Sequence, residues 1–469
     1  MKIRRLSRWA FVVAFGAHAG FALAAAPMAE HPQAETQTLD LAKRAIALRS
    51  VAGPGDETPK VAALFADALV KGGFRAKDVQ IIRAGSTAYL IARWPGTDPT
   101  LKPVVLLGHM DVVEAQPKDW QRDPFTPVVE NGYLFGRGST DMKLDDTLAI
   151  ATLSELRRQG FKPRRGIIVA FSGDEETTMK TGALIADRLR DAELVLNVDG
   201  ANGVLDERTG KPAYFTWEGA EKTYADFEMT VTNPGGHSSE PRAVNAIDEL
   251  ASALLRLQAY RFKPELNALT RTYFEHAAQW EKPETGAAMR AFAADPGNQK
   301  AIDVLSADPS MIGKIGTTCV VTMIRGGHAF NALPQRATAN INCRIFPGHP
   351  RLAIMRELSD AAKDPQIQFR DATEGSVATD ASPIRPDVMN ALRMAVEGVY
   401  PGLPVVAAMS SGASDSMWFR ALGVPSYGIS PIFIKNSDEF AHGLNERTPV
   451  MTIRPSLDIL LSTISSLTR

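Results

Sequence analysis

Cysteine is almost missing: Cys319 and Cys343 are the only two in 469 residues. That excludes a scaffold stapled by several disulfides, and it excludes a thiolate zinc site, which needs more sulfur than two residues supply. Excess charge is missing too. The 52 basic and 53 acidic residues leave a formal net charge of −1, so there is no electrostatic footprint for nucleic acid and no such partner is expected. Apolar and charged fractions of 45% and 22% are ordinary for a globular chain, which argues against disorder or coiled coil. Repeats and low-complexity tracts are absent. Beyond the N-terminus no apolar run is long enough to span a bilayer, so the mature chain is expected to have no membrane contact.

The first 26 residues differ in composition from the rest. Lys2, Arg4, Arg5 and Arg8 precede an apolar run from Trp9 to Ala26, and Ala22-Leu23-Ala24 places small residues where a signal peptidase reads them. This pattern is that of a cleavable secretory signal peptide over 1–26, and it implies export to the periplasm. An uncleaved anchor fits less well, because His18 interrupts a run already short of the ~20 residues a span requires. Residues 27–36 look like a polar tether.

The remaining length is too great for one ordinary core, so two domains are expected. Three short β-branched, apolar runs each lead directly into polar or acidic residues: PVVLLGHMD (103–111), GIIVAFSGDEE (166–176) and ELVLNVDG (193–200). Helical spacing fills the intervals between them. Continuous apolar strands alternating with helices predict an α/β fold, a mostly parallel mixed sheet with helices on both faces. Residues 27–218 form the first part of this catalytic unit and 373–469 complete it. Between them, 219–372 run in the order strand–helix–strand–strand–helix–strand, which predicts an inserted α+β domain. The charged, Ala-rich stretch 262–312 makes that insertion long.

Ligands of such sheets bind beyond the carboxyl ends of the strands. His109, Asp111, Glu175, Glu176 and Asp199 all fall there, and Asp141 and His442 join them. Histidine nitrogen with carboxylate oxygen, and no sulfur, is the donor set of a catalytic rather than a structural zinc site. His109, Asp141, Glu176, Asp199 and His442 are too many for one open centre and suit two metals sharing a bridging carboxylate. Amide hydrolysis also needs a carboxylate general base beside the metals that is not consumed as a ligand, a role that falls to Glu175. Asp111, two residues past His109, is placed to orient that imidazole through its second nitrogen.

The chain resembles the di-zinc exopeptidase family that includes aminoacylase, bacterial glutamate carboxypeptidase, succinyl-diaminopimelate desuccinylase and carnosine dipeptidase. The resemblance spans about residues 40–469. It is carried by GHMDVV (108–113), DPF (123–125), GRGSTDMK (136–143), SGDEE (172–176), GGHSSEP (235–241), NALP (331–334), NCRIFPG (342–348) and AHG (441–443). The resemblance implies two Zn²⁺ ions per chain, with Co²⁺ or Mn²⁺ as substitutes. Asp141 would bridge them, His109 and Asp199 holding one and Glu176 and His442 the other. It implies that the insertion is a lid and dimerisation domain, hence a homodimer. His237, Asn331 and Arg344 match substrate-side positions, and Ser410–Asp415 match a Gly-rich substrate loop. Arg344 lies opposite the apolar face of Ile341, Cys343 and Ile345, and its guanidinium fork suits a substrate carboxylate.

A related class of di-zinc aminopeptidases uses a similar ligand series, but GRGSTDMK and the lid carrying GGHSSEP favour the first family. Leu144-Asp145-Asp146 departs from it where glycine usually follows DMK. These carboxylates open a helix, where negative charge is favourable. The resemblance implies that aspartate at position 199 goes with di- and aminopeptidases, glutamate being commoner there in acylases and desuccinylases. The leading expectation is therefore hydrolysis of dipeptides or short peptides. An N-acyl-amino-acid amidohydrolase is the alternative, and a non-catalytic metal-containing binding protein a third reading.

The two cysteines are equidistant from residue 331, so a hairpin around it sets them opposite each other. Period-2 alternation groups Cys319 with Val321 and Met323, and Cys343 with Ile341 and Ile345. An oxidising compartment would permit a bond, while free cysteines packed as small buried hydrophobes are the alternative, since cross-strand neighbours only sometimes meet disulfide geometry.

Overall fold

A computed structural model describes residues 30–469; the expected signal peptide lies outside the described residues. Alternate positions along the central strands serve two different cores. Val104 and Leu106 pack with Leu148, Leu153 and Leu460, whereas Val105 and Leu107 pack with Ile185 and Phe419. Helices therefore cover both faces. Pro32–Ile46, Thr58–Lys71, Lys143–Arg158 and Ile453–Thr468 lie on one side, and Lys180–Arg188 and Ser416–Ala421 on the other. All six residues of Val104–His109 and of Ile167–Ser172 are buried, which is why they read as unbroken apolar runs.

The large sheet has ten strands. Its centre, Ile167–Ser172, Val104–His109, Leu194–Asn197 and Ser426–Gly428, is parallel. The hairpin Val79–Ala84 and Thr87–Trp94 adds to it antiparallel. Pro212–Glu221 pairs antiparallel with Ser426–Gly428 and parallel with Val405–Ser410. The C-terminal segment thus supplies strands to the same sheet as the N-terminal one.

After Glu221 the chain enters a second, four-stranded antiparallel sheet ordered Thr318–Gly326, Arg336–Ile345, Thr223–Thr232, Gln368–Asp371. Helices Ala246–Ala259 and Arg351–Ala362 cover one face through Leu250, Ala253, Ile354 and Leu358. Asn245 starts the first of these with a capping box shared with Asp248.

Two expectations are corrected here. Sequence order assigns residues 262–312 to the lid, yet Tyr273, Phe274, Met289 and Phe292 of this stretch pack against Tyr214, Val406 and Ala408 of the large sheet. Sequence order put them in the insertion, but their apolar faces are buried elsewhere. Residues 27–36 are not simply a tether, because a helix begins at Pro32 and buries Ala34 and Thr38. His31 sits buried between Glu155 and Asp458, at 3.3 and 3.1 Å.

Cys319 and Cys343 are direct cross-strand partners with Cα atoms 4.1 Å apart, and they form a disulfide. The apolar grouping of Val321 and Met323 with Cys319 does not hold. The register shifts between Val321 and Met323, and both are exposed. Thiol titration of denatured, unreduced protein is expected to find no free thiol; two per chain would disprove the bond.

Candidate metal centre and active site

Parallel pairing brings the ends of three strands to one edge. His109 lies opposite Ser172, and Leu107 lies opposite both Ala170 and Asn197. Glu175 and Glu176 follow Ser172 by three and four residues, and Asp199 follows Asn197 by two. The turn after Ser172 is fixed at both ends. Asp174 accepts the backbone N–H groups of Lys180 and Thr181, at 3.1 and 2.9 Å, starting the next helix. The Asp111 carboxylate accepts the N–H groups of Glu175 and Glu176, at 3.1 and 3.0 Å.

Asp111 therefore acts differently from expectation. His109 Nδ1 is 3.0 Å from the Asp111 carbonyl oxygen and 3.6 Å from its carboxylate. The backbone oxygen is the nearer partner of the imidazole, while the carboxylate clamps the Glu175–Glu176 turn.

The centre is built around Asp141. Its Oδ1 lies 3.1 Å from His109 Nε2 and its Oδ2 lies 3.2 Å from His442 Nε2. His442 Nε2 is also 2.9 Å from Glu176 Oε2. Ligand atoms of His109, Asp141 and Glu176 all fall within 4.8 Å of one another. His442 occupies the left-handed region at φ 60°, a strained conformation for a residue with a side chain and one typical of functional loops.

The electrostatics of the cluster favour cations. Burial pushes the Glu175 and Asp199 carboxyls up, Asp199 to about 7, with neighbouring carboxylates adding to the effect and His109 opposing it. Burial would depress the His109 imidazole, but Asp111, Asp141 and Glu175 hold it well above its ordinary value. Hydrogen bonds with Asp141 and Glu176 raise His442 to about 10. More carboxylates than cations crowd one buried pocket. A pair of divalent cations would relieve that repulsion, and the nitrogen and oxygen donors suit such ions.

The cluster opens into a cleft of about 560 Å³ lined by Asp141, Asp199, Glu218, Lys314 and the loop Ser410–Ser414. Asn197 Nδ2 donates to Ser414 Oγ and Ser416 Oγ, at 3.2 and 3.0 Å, tying that loop to the third strand. Burial, with the charges of Glu221 and Asp199, pushes Glu218 up to about 8.

Arg344 sits on the polar face of its strand as expected, its guanidinium 4.9 Å over the Tyr224 ring and within the electrostatic reach of Glu175. His237 and Asn331 come together at an exposed two-stranded ribbon of Gly236–His237 and Ala332–Leu333, where Ser238 N–H donates to the Asn331 carbonyl at 3.0 Å. No described contact joins either of them to the metal cluster.

Two features escaped the sequence reading. Glu446 is fully buried and accepts the N–H groups of Gly138, Thr140 and Asp141 at 3.1, 2.7 and 2.9 Å, with Arg137 Nη1 at 2.6 Å. It holds the loop that delivers Asp141. Its one sequence signal is proximity to His442. Asp145 and Asp146 were read as helix-opening charges, yet both are buried. The Asp145 carboxylate accepts from Ser430 Oγ at 2.8 Å, while the Asp146 carboxylate has no hydrogen-bond partner among the described residues. Asp146 lies under Gly108, where a Cβ would meet its Oδ1 at 2.4 Å.

Residues 105–466 match peptidase family M20/M25/M40. The chain is similar to the N-fatty-acyl-amino acid synthase/hydrolase of Xenopus tropicalis, 29% identical over 75% of this chain and 70% of that one. It is similar to a probable carboxypeptidase S-like protein of Dictyostelium discoideum, 27% identical over 79% and 72%. Among solved structures, an M20 family metallo-carboxypeptidase from Sulfolobus solfataricus shares the fold with a TM-score of 0.70 at 18% identity, over 92% of this chain and 98% of that one. A di-peptidase of Saccharomyces cerevisiae does so at 0.64 and 18%, over 93% and 96%. With the fold, the nitrogen–oxygen cluster at the strand ends and a match over most of its length in agreement, the chain belongs to peptidase family M20/M25/M40 and is a metal-dependent hydrolase.

Proposed function

We propose that the protein is a di-zinc exopeptidase that cleaves dipeptides or short peptides. One observation carries the two-metal reading: each oxygen of Asp141 faces a different histidine, at 3.1 and 3.2 Å. Asp141 would bridge the ions, with His109 and Asp199 on one and Glu176 and His442 on the other. When bound, the metals would supply Lewis acidity, lowering the pKa of water to about 7 and polarising the scissile carbonyl. Glu175 accepts the proton of the attacking water and returns it to the leaving nitrogen. Asp111 keeps Glu175 and Glu176 in register through their backbone. Arg344 receives the substrate carboxylate from the lid side, and Asn331 and His237 contribute through the two-stranded lid ribbon.

The second reading is hydrolysis of N-acyl amino acids, favoured by the relatives named for N-fatty-acyl amino acids. A panel of dipeptides against acyl-amino acids, run on zinc-reconstituted protein, separates the two. Faster turnover of the acyl-amino acids would overturn the exopeptidase reading.

Export and dimerisation belong to the same proposal. A basic-then-apolar opening and the Cys319–Cys343 bond suit an oxidising compartment. The unpaired edge strand Thr318–Gly326 and the fully exposed Phe330 offer a surface to a second copy. A chelator is expected to abolish activity and zinc to restore it at close to two ions per chain. Full activity at one ion per chain would remove the bridging role of Asp141.

A further inference from the structure

The cleft that opens from the metal cluster is also lined by Glu218, Glu439, Tyr214, Tyr273 and Lys314. Among the described residues, none from the lid sheet or its two helices lines it. A substrate whose carboxylate is held on the lid therefore presents the residue before the scissile bond to this cleft.

Two of the lining side chains are buried without partners. Tyr214 and Tyr273 are only 6% and 8% exposed, and neither hydroxyl has a hydrogen-bond partner among the described residues. A phenol oxygen accepts from an ammonium or guanidinium group, and the ring faces attract such a cation. Tyr273 comes from the helix Ala268–Ala277, in the stretch that leaves the lid to pack on the large sheet.

Charge favours the same ligand. Glu218 makes no hydrogen bond or ion pair through its carboxylate among the described residues. A Cβ at Gly428 would lie 3.2 Å from its Oε2, so glycine at this strand end leaves the carboxylate its room. Glu218 is within electrostatic reach of Asp199 and Lys314, and Glu439 within that of Asp141 and Lys314. Lys314 is the one cation lining the cleft among the described residues. Its Nζ donates to the Ser310 carbonyl at 2.6 Å and stands 5.4 Å from the Tyr273 ring centroid, with no ion pair to either glutamate. Two carboxylates against one ammonium leave negative charge over.

We propose that this part of the cleft is a specificity subsite for a cationic side chain, lysine or arginine, on the residue preceding the scissile bond. Glu218 and Glu439 take its charge, and Tyr214 and Tyr273 enclose it. The placement of the substrate rests on the exopeptidase reading; the preference for positive charge is a separate property of the cleft. A site built to pair with a charged group rejects the analogue that lacks it, because its own polar groups are then left unpaired.

The test compares kcat/KM of the zinc-loaded mature protein for lysyl-alanine, norleucyl-alanine and glutamyl-alanine. Norleucine keeps the lysine stem and carries a methyl in place of the ammonium. Lysyl-alanine is expected to exceed norleucyl-alanine at least tenfold, with glutamyl-alanine slowest. Glu218→Gln should lower the lysyl-to-norleucyl ratio at least tenfold, and Glu439→Gln by a smaller factor. Zinc content and thermal unfolding of the same preparations show that each variant is folded. If Glu218→Gln does not fold, the wild-type comparison and Glu439→Gln, at an exposed position, decide. Equal kcat/KM for lysyl- and norleucyl-alanine in the wild type overturns the proposal, and so does an unchanged ratio in both glutamate variants. If no dipeptide is cleaved but acyl-amino acids are, the exopeptidase reading fails. The same ratio is then read on N-(6-aminohexanoyl)-alanine against N-heptanoyl-alanine. Preference for the amine upholds the subsite, and its absence overturns it.

Discussion

Glu175→Gln is expected to lower turnover by a factor on the order of 10²–10⁴, the contribution of a positioned general base, with zinc content unchanged. Glutamine keeps the shape of the side chain, and the turn is held through the backbone N–H of residue 175 on Asp111, which the substitution leaves intact. In the proposed ligand set Glu175 is the base and not a donor, so the substitution should leave the metals their ligands. Burial raises its carboxyl, which brings a base nearer the pH at which it works. Activity and metal content measured on the same preparation check this. A variant keeping more than a tenth of wild-type turnover would show that another group takes the proton, and one that loses metal would make Glu175 a ligand.

Glu446→Ala is expected to weaken both the fold and the metal centre, although Glu446 touches neither metal ligand side chains nor the cleft. Its carboxylate is the buried partner of Arg137 and of three backbone N–H groups, including that of Asp141. Removing one half of a buried ion pair costs roughly 3–5 kcal/mol because the other charge is left uncompensated. Supporting residues of a metal site typically contribute 10–100-fold in affinity. Glu446→Gln, which keeps one acceptor oxygen, should fall between alanine and wild type. Urea unfolding and zinc competition titrations read the two effects separately. Zinc affinity at the wild-type level in the alanine variant would mean that the Asp141 loop is held by other means, such as the Thr140–Thr448 hydroxyl contact at 2.9 Å.

The candidate metal site was legible because parallel strands force a shared edge. Once 103–111, 166–176 and 193–200 are read as neighbouring strands, His109, Glu176 and Asp199 must emerge together, and no side-chain coordinates are required. The β-α-β-β-α-β order of the insertion was equally legible, since period-2 and 3.6-residue patterns are local properties of the chain. Glu446 escaped because a carboxylate that binds backbone N–H groups of a distant loop has no periodicity. The Asp145–Asp146 pair was misread for a related reason: a helix N-terminus welcomes negative charge whether it is solvated or buried, and only packing under Gly108 separates the two cases.

Local pattern and strand order, which depend on residues near in sequence, pointed to the α/β class and the inserted sheet, grouped the candidate donors at the strand ends and set Cys319 opposite Cys343, without deciding whether the two are bonded. Tertiary structure alone decided where an amphipathic surface finds its cover. Residues 268–312 are inserted among lid elements in sequence yet pack on Tyr214, Val406 and Ala408, because apolar burial has no direction and is indifferent to chain order. The same placement brings Tyr273 and Lys314 to the catalytic cleft with Glu218 and Glu439, an arrangement drawn from separate stretches of chain.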